Sequence, residues 1–146
     1  MSLPTEFDFA LVKMGDGASP EVFTQICGIE AAQVNITANT SDHFARDCAK
    51  PGAVAFRRVK TDGRQMDVSG TGLSNADTVA DFIGAIGLSK NYKIEGYRRD
   101  GSDTGELLGT FSGPFVMTAF NLSITGSATG EVNLASDGEY TYTPAP

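Results

Sequence analysis

The one histidine of this chain is the first side chain that could act as a general base. His43 follows Asp42, and such a pair could activate a serine hydroxyl for acyl transfer. The chain has no G-x-S-x-G sequence, however, and His43 lies in a segment without a strand or helix pattern. We therefore interpret His43 as a surface histidine.

Metal sites are not supported by the spacing of the candidate ligands. Cys27 and Cys48 form no C-x-x-C pair, so one histidine and two distant cysteines make a poor zinc site. The segment "DGSDTGE" (100–106) puts Gly105 at the sixth position of a calcium loop, but Phe111 stands where a bidentate Glu is needed. We interpret this segment as a hairpin turn and expect no cofactor.

Two further patterns fail as sites of chemistry. The segment "GTGLSN" (70–75) lacks the Gly-Lys-Ser/Thr of a phosphate loop and the third glycine of a dinucleotide fingerprint. Asp77 and Asp81 lie one helical turn apart, and we expect both to face water. Nothing in the sequence indicates an active site, and we expect no enzymatic activity.

Charge and length exclude several classes of protein. The chain has 146 residues, which predicts one domain, and its formal net charge is −7. A net negative charge disfavours binding to phosphates and to anionic membrane surfaces. No secretory signal and no span of about 18 apolar residues is visible, so we expect a reducing cytoplasm. There we interpret Cys27 and Cys48 as small apolar residues, although a disulfide between them stays open.

Alternation of apolar and polar residues predicts a mainly β protein. The predicted strands, bounded by turn sequences such as "GDGAS" and "TDG", are 7–14, 20–26, 29–38, 54–60, 64–72, 90–99, 107–111, 114–124, 129–136 and 139–144. This pattern favours a β-sandwich or rolled barrel of about eight strands, formed by a single domain over residues 1–146.

One helix is predicted at about 75–86. Ser74 or Asn75 is a suitable N-cap, and Gly87 is a suitable stop. The helical spacing of four apolar side chains predicts a stripe that packs on the sheet. These side chains are Val79, Phe82, Ile83 and Ile86.

The strand pattern stops within "NTSDHFARDCAKPGA" (39–53). We predict an irregular loop at about 40–54. Loops of this length in compact domains usually have a function, so we interpret this one as a docking loop, with a floppy surface excursion as the alternative.

The order of segments resembles the major tail tube proteins of long-tailed bacteriophages and gene transfer agents. Three stretches carry the resemblance: "KMGDGASPEVFTQICGI" is similar to the opening hairpin of that family, "DVSGTGL" to the strand before its helix, and "GPFVMTAFNLSITGSATGEVNLASDGEYTYT" to its ending. The loop after residue 39 and the segment "YRRDGSDTGE" depart from the family pattern.

The resemblance implies a structural virion protein that assembles into stacked hexameric rings. The resulting tube would conduct genomic DNA through its lumen without binding it specifically, and its partners would be further copies together with tape-measure, tail terminator and baseplate or tip proteins. The implied location is the virion tail, after assembly in the host cytoplasm. On this basis we expect the loop at 40–54 to contact the adjacent ring through His43, Phe44, Arg46, Asp47 and Lys50.

Two alternatives stay open beside this interpretation. One is the inner tube of a contractile tail or secretion system, which would share the fold. The other is a monomeric β-sandwich that binds a carbohydrate or calcium. The absence of tryptophan and of an export signal disfavours such a binding module.

Overall fold

The protein is described by a computed structural model over residues 4–25, 29–73, 76, 79–124 and 129–145. Its elements are, in chain order, β1 (Phe9–Gly15), β2 (Phe23–Gln25), β3 (Ile29–Ala45), β4 (Phe56–Leu73), α1 (Val79–Ala85), β5 (Ser89–Arg98), β6 (Glu106–Leu122), β7 (Thr129–Ser136) and β8 (Thr141–Pro144). Within these ranges no helix is long and apolar enough to cross a membrane.

All eight strands belong to one antiparallel sheet. The order is β2-β1-β5-β6-β7-β4-β3, and β8 pairs with β6. The sheet rolls on itself, because Ala32 and Val34 of β3 pack against the same core as Ala10 of β1, although these strands lie near opposite margins of the sheet. The prediction of a rolled, mainly β fold with one packed helix is therefore confirmed.

The helix packs on this core through fewer side chains than the sequence predicted. Phe82 and Ala85 are buried, and the Phe82 ring stacks on Phe120 with 4.6 Å between ring centroids. Ile83 is 64% exposed, so its predicted place in the packed stripe is wrong. Ile83 lies about 100° around the helix axis from the buried Phe82, and so it points away from the side that packs on the core in this helix of two turns. Gly87 has a φ of 77°, which confirms it as the stop.

The predicted N-caps, Ser74 and Asn75, lie outside the described residues, as does Asp77. Asp81 is exposed, as expected.

Strand β6 crosses Pro114 without a break, so the prediction of two separate strands here is wrong. On one edge of β6, β8 pairs up to Ser112 and β7 begins opposite Phe115. The Pro114 carbonyl points into this gap and accepts a hydrogen bond from the Asp137 N–H at 2.9 Å. The nitrogen of Pro114 faces the same gap, where no neighbouring strand would accept a hydrogen bond from an N–H. A proline is therefore tolerated at this position.

A β-bulge in β6 changes which side chains face the core. Thr118 is the extra residue between the pairs Met117–Leu134 and Ala119–Asn133. Phe115 and Met117 are fully buried before the bulge, and Phe120 packs on the core after it. The predicted uninterrupted alternation along 114–124 is therefore wrong, because the bulge shifts the inward face by one residue.

The hairpin of β3 and β4 is the largest departure from the sequence prediction. Residues 40–45 continue β3 in register with β4, so the irregular connection covers 46–55 instead of 40–54. The predicted "TDG" turn is also wrong, because β4 runs through it with Asp62 as a bulge between Thr61 and Gly63. A glycine beside a short polar residue suits a bulge as well as a turn, and pairing with β3 decides between them.

Tyr92 is a buried polar side chain within the core. It is fully buried, with its ring edge-on to Phe115, and its hydroxyl finds no hydrogen-bond partner among the described residues. Burial disfavours the phenolate and raises the pKa of Tyr92 to about 12.

We predict that Tyr92→Phe keeps or raises the free energy of unfolding at pH 7, by up to about 1 kcal/mol, because it removes an unpaired buried hydroxyl. Since the pKa of Tyr92 is higher in the folded state than when unfolded, its contribution to stability is complete below pH 10 and is lost as the pH rises towards 12. The variant should therefore lose less stability than the wild type between these values. Urea unfolding at pH 7 and pH 10.5 measures both effects, and a loss of about 2 kcal/mol at pH 7 would show that the hydroxyl is bonded.

Candidate assembly interface

The outer half of the β3–β4 hairpin extends beyond the rest of the sheet. Strand β4 pairs with β7 only from Leu73 to Asp67, which lies opposite Ala135. Beyond Asp67, β4 keeps only β3 as a neighbour. We call residues 35–65 the arm and the remaining residues the body. From Met66 to Phe56 the ribbon spans about 33 Å at the usual rise of a strand.

The arm has two distinct faces, because side chains alternate along a strand and directly paired residues share a face. The core-side face continues the side of the sheet that packs in the body. It comprises Ile36, Ala38, Thr40, Asp42 and Phe44 of β3 with Arg57, Val59, Thr61 and Arg64 of β4. The outer face comprises Asn35, Thr37, Asn39, Ser41, His43 and Ala45 with Phe56, Arg58, Lys60, Gly63 and Gln65.

The core-side face carries apolar side chains that the body does not cover. Met66 is fully buried, yet its cross-strand partner Ile36 is 55% exposed. Further out, Val59 is 56% exposed and Phe44 is 73% exposed. The apolar pattern of the core thus continues past the point where the core ends.

The outer face near the body is polar and bonded within itself. The Asn39 side-chain amide donates to Gln65 at 3.1 Å, and the Gln65 amide donates to Asp67 at 3.2 Å. The Ser41 hydroxyl donates to the Asp62 carboxylate at 3.4 Å. Side chains that satisfy one another in this way can remain in water without a partner.

Charge is distributed unequally between arm and body. Residues 35–65 contain six of the 11 Lys and Arg residues but only three of the 18 Asp and Glu residues. The arm therefore has a formal net charge of +3 and the remaining chain one of −10. Such separated charge favours contact between the arm of one molecule and the body of another.

The arm cations are not neutralised by the body. Three ion pairs occur among the described residues, namely Lys13–Glu95, Arg98–Glu106 and Arg57–Asp42. Only the last belongs to the arm, and its nitrogen and oxygen are 4.0 Å apart with both side chains more than half exposed. An exposed pair of that length contributes little to stability.

The five predicted interface residues are not all equivalent in this geometry. Phe44 lies on the core-side face and His43 on the outer face. The other three lie in the irregular connection 46–55, which we call the tip. There Asp47 accepts the Ala49 N–H at 2.9 Å, Arg46 donates to the Pro51 carbonyl at 3.4 Å, and Lys50 is exposed. The five predicted residues are thus divided between the two faces of the arm and its irregular tip.

The sequence analysis missed Ile36, Arg57, Val59 and Arg64, because residues 29–38, 54–60 and 64–72 were predicted only as ordinary strands of the domain. The cluster of cations between 46 and 64 was the available signal.

The tip also contains the exposed thiol of Cys48, which is free. Its interpretation as a small apolar residue gave no indication of this exposure. Cys27 lies outside the described residues.

The segment 100–106 is a turn, as predicted. The Asp100 carboxylate accepts hydrogen bonds from the N–H and the hydroxyl of Ser102, and these bonds lower the pKa of Asp100. The Ser102 oxygen in turn accepts the Gly105 N–H at 3.0 Å. The carboxylate thus stabilises the turn. No group of three or more His, Cys, Asp or Glu with metal-ligand geometry occurs in the described ranges.

Glu95 is the one acidic side chain buried among the described residues, and one of its carboxylate oxygens has two partners. Its carboxylate is 3.1 Å from the Lys13 ammonium and accepts the Tyr97 hydroxyl at 2.6 Å. Burial, followed by the bond to Glu95, raises the pKa of Tyr97 to about 12. This cluster ties β1 to β5.

No protein-family model and no curated protein sequence matches the chain. Solved structures do match it in fold. The chain is similar to a protein in the virion of a native gene transfer agent particle, with a TM-score of 0.65 and 22% identity over 96% of this chain and 99% of the other. It is similar to one in the tail of an empty gene transfer agent particle with C6 symmetry, with a TM-score of 0.62 and 24% identity over 91% and 94%.

A third similar structure is the sheath–tube complex of an extracellular contractile injection system in its extended state. Its TM-score is 0.65 at 18% identity, over 99% of this chain and 95% of the other. The resemblance seen in the sequence is therefore confirmed at the level of the fold.

We predict that the arm contributes little to the stability of the isolated subunit. Phe44→Ala should change the free energy of unfolding by no more than about 0.5 kcal/mol, because this side chain is largely in water already. Phe115→Ala, which removes a fully buried ring of the same type, should cost about 3–5 kcal/mol. Urea unfolding at low protein concentration compares the two, and a large effect at Phe44 would mean that the arm packs on its own body.

Proposed function

We propose that this protein is the structural subunit of a hollow tail tube and has no enzymatic role. The observation that carries the proposal is the agreement in fold, over nearly the whole chain, with proteins of tail and tube assemblies. The arm supports it, because its apolar and cationic side chains are exposed and its outer part pairs with no third strand, so a second molecule is needed to cover it.

Six subunits in a ring provide the required geometry. An eight-stranded barrel is filled by its own side chains, and about 16–18 strands are needed before a water-filled channel opens. About four strands from each of six copies make a barrel wide enough for a duplex. The sheet margins at β2 and β3 are available for such pairing. Head-to-tail contacts of this kind close into rings.

A net negative subunit suits the passage of DNA. Phosphates bind proteins by displacing their counterions with Lys and Arg, so a lumen with negative potential lets a duplex slide without sticking. The body, at −10, has the required sign. The cationic arm must then be covered by protein and kept away from the lumen.

The arm is the proposed contact between successive rings. Its tip and outer end contain the five residues predicted from the sequence, with Phe44 as the apolar anchor and Arg46, Asp47 and Lys50 beside His43 as polar contacts. All five are exposed in the subunit. A tube of this kind ends on tape-measure, terminator and baseplate or tip proteins, which we propose as further partners within a virion tail.

The inner tube of a contractile system is the second candidate. The observation that favours it is the TM-score of 0.65 to the sheath–tube complex, equal to that for the gene transfer agent particle. A sheath protein that is co-expressed and binds the assembled tube would identify this variant of the function.

We expect the purified protein at high concentration to form rings or striated hollow tubes, visible by negative-stain electron microscopy. Apolar and charged surface on the arm is left uncovered in the subunit, and assembly covers it. A protein that remains a monomer even with a preformed baseplate as initiator would contradict the proposal and favour a ligand-binding module.

We expect the double variant Phe44→Ala with Arg46→Glu to block tube growth and leave the fold intact. It removes the apolar anchor and reverses one tip charge, and both side chains lie outside the core. Circular dichroism checks the fold, and electron microscopy checks the tubes. Tubes of normal length would exclude Phe44 and Arg46 as ring contacts.

A further inference from the structure

We propose that the arm docks on the acidic body of a second copy of this chain through its core-side face alone, with Arg57 and Arg64 opposite carboxylates. This inference rests on the proposed tube function and adds to it which face binds and what charge it meets. The opposite face of the same ribbon, which has comparable exposure, then stays in water, which removes His43 from the proposed ring contact and keeps Phe44 in it.

The apolar side chains of the core-side face give the first reason. Ile36, Val59 and Phe44 follow one another along this face and are each more than half exposed. They continue the inward row of Val34, Met66 and Val68. A strand whose core-facing pattern extends past its own core has the pattern of a surface that is buried against another protein.

The cations of the arm indicate the partner, and each face has two of them: Arg57 and Arg64 on the core-side face, and Arg58 and Lys60 on the outer face. On the core-side face, Arg57 and Arg64 flank the apolar row, and the Arg64 guanidinium makes no ion pair or hydrogen bond among the described residues. The body of every copy has a formal charge of −10, so another copy is the complementary partner that is always present at equal concentration. Guanidinium groups bind carboxylates through two parallel hydrogen bonds, which adds geometry to the attraction.

The outer face lacks this combination near the body. Asn39 and Gln65 bond to each other, and Gln65 also bonds to Asp67. Burying these groups against a partner would require that each bond be kept or replaced. The outer face can instead remain hydrated at no such cost.

Two adjacent arginines provide a matched test. Arg57 lies on the core-side face and Arg58 on the outer face, and either change to Glu alters the net charge equally. We expect Arg57→Glu to raise the critical concentration for tube formation about tenfold or more, and Arg58→Glu to leave it within about twofold. The critical concentration is measured by pelleting tubes in the ultracentrifuge over a dilution series.

Two phenylalanines provide an uncharged version of the same test. Phe44 on the core-side face is 73% exposed, and Phe56 on the outer face is 79% exposed. Phe44→Ser should weaken assembly by a similar factor, and Phe56→Ser should not. If loss of surface hydrophobicity alone decided the outcome, Phe56→Ser would have at least as large an effect.

Salt provides a readout specific to the charges. Raising the salt from about 0.05 M to about 0.5 M shortens the screening length several-fold, so the critical concentration of the wild type should rise. Arg57→Glu, which has already lost the attraction, should respond less steeply than Arg58→Glu. Equal salt responses in the two variants would contradict a charged contact on the core-side face.

The outcomes separate this inference from the proposed function. Wild-type tubes with equal effects at Arg57 and Arg58 would overturn the choice of face and leave the tube function standing. Association into dimers without tubes would contradict the tube function, and the dimer dissociation constants of the four variants, from sedimentation equilibrium, would still test the face. A wild type that stays monomeric but binds a labelled DNA duplex, with equal losses in both arginine variants, would overturn both.

Discussion

The ladder between β4 and β7 ends at Asp67 and Ala135, and the division of the molecule into body and arm depends on that limit. Where β4 has neighbours on both sides, its inward residues Val68 and Gly70 are buried, and Met66, one residue past the end of that ladder, is the last buried residue of the row. Where it has only β3, the same alternation leaves Val59 largely in water. One sequence pattern therefore produces a core in one half of the hairpin and an uncovered surface in the other half.

Charge follows the same division. The body combines its carboxylates with few cations, and the arm has the opposite excess. Since each copy contains both surfaces at different places, the proposed contact between arm and body is heterologous: the second molecule still offers its own free arm to a third. Such an assembly grows in one direction from copies of this chain alone. Its two ends then differ, because one exposes free arms and the other exposes free bodies.

Much of this fold could be predicted from residue patterns. Alternation located the strands, and Gly87 marked the end of the helix. The errors arose where pairing overrides local sequence. Glycine and aspartate at 62–63 favour a turn in isolation, but the long partner strand holds them as a bulge. Residues 112–113 were predicted to separate two strands, yet β6 continues through them, and Pro114 occupies a gap between two neighbouring strands that the local sequence does not reveal.

The candidate site was less predictable than the fold. The sequence located an unusual segment around Phe44, but it did not reveal that regular strands extend to Ala45 or that Arg57 and Arg58 point to opposite sides. Alternation assigns faces only after the register is known, and Asp62 shifts that register by one. The strands of the body could be predicted without knowing the register, because their apolar side chains are the ones that the core buries.

The arm also has a consequence for the dynamics of the free subunit. A two-stranded ribbon without a third strand or a packed face is only marginally stable in water. Its outer amide protons should therefore exchange with solvent through local opening, at a lower free energy than the amides of β5 and β6, whose neighbours on both sides release them only when the body opens. In the proposed assembly, docking orders this hairpin, and the entropy lost in ordering it offsets part of the contact free energy. We therefore expect a free subunit to associate more weakly than its contact area alone would suggest.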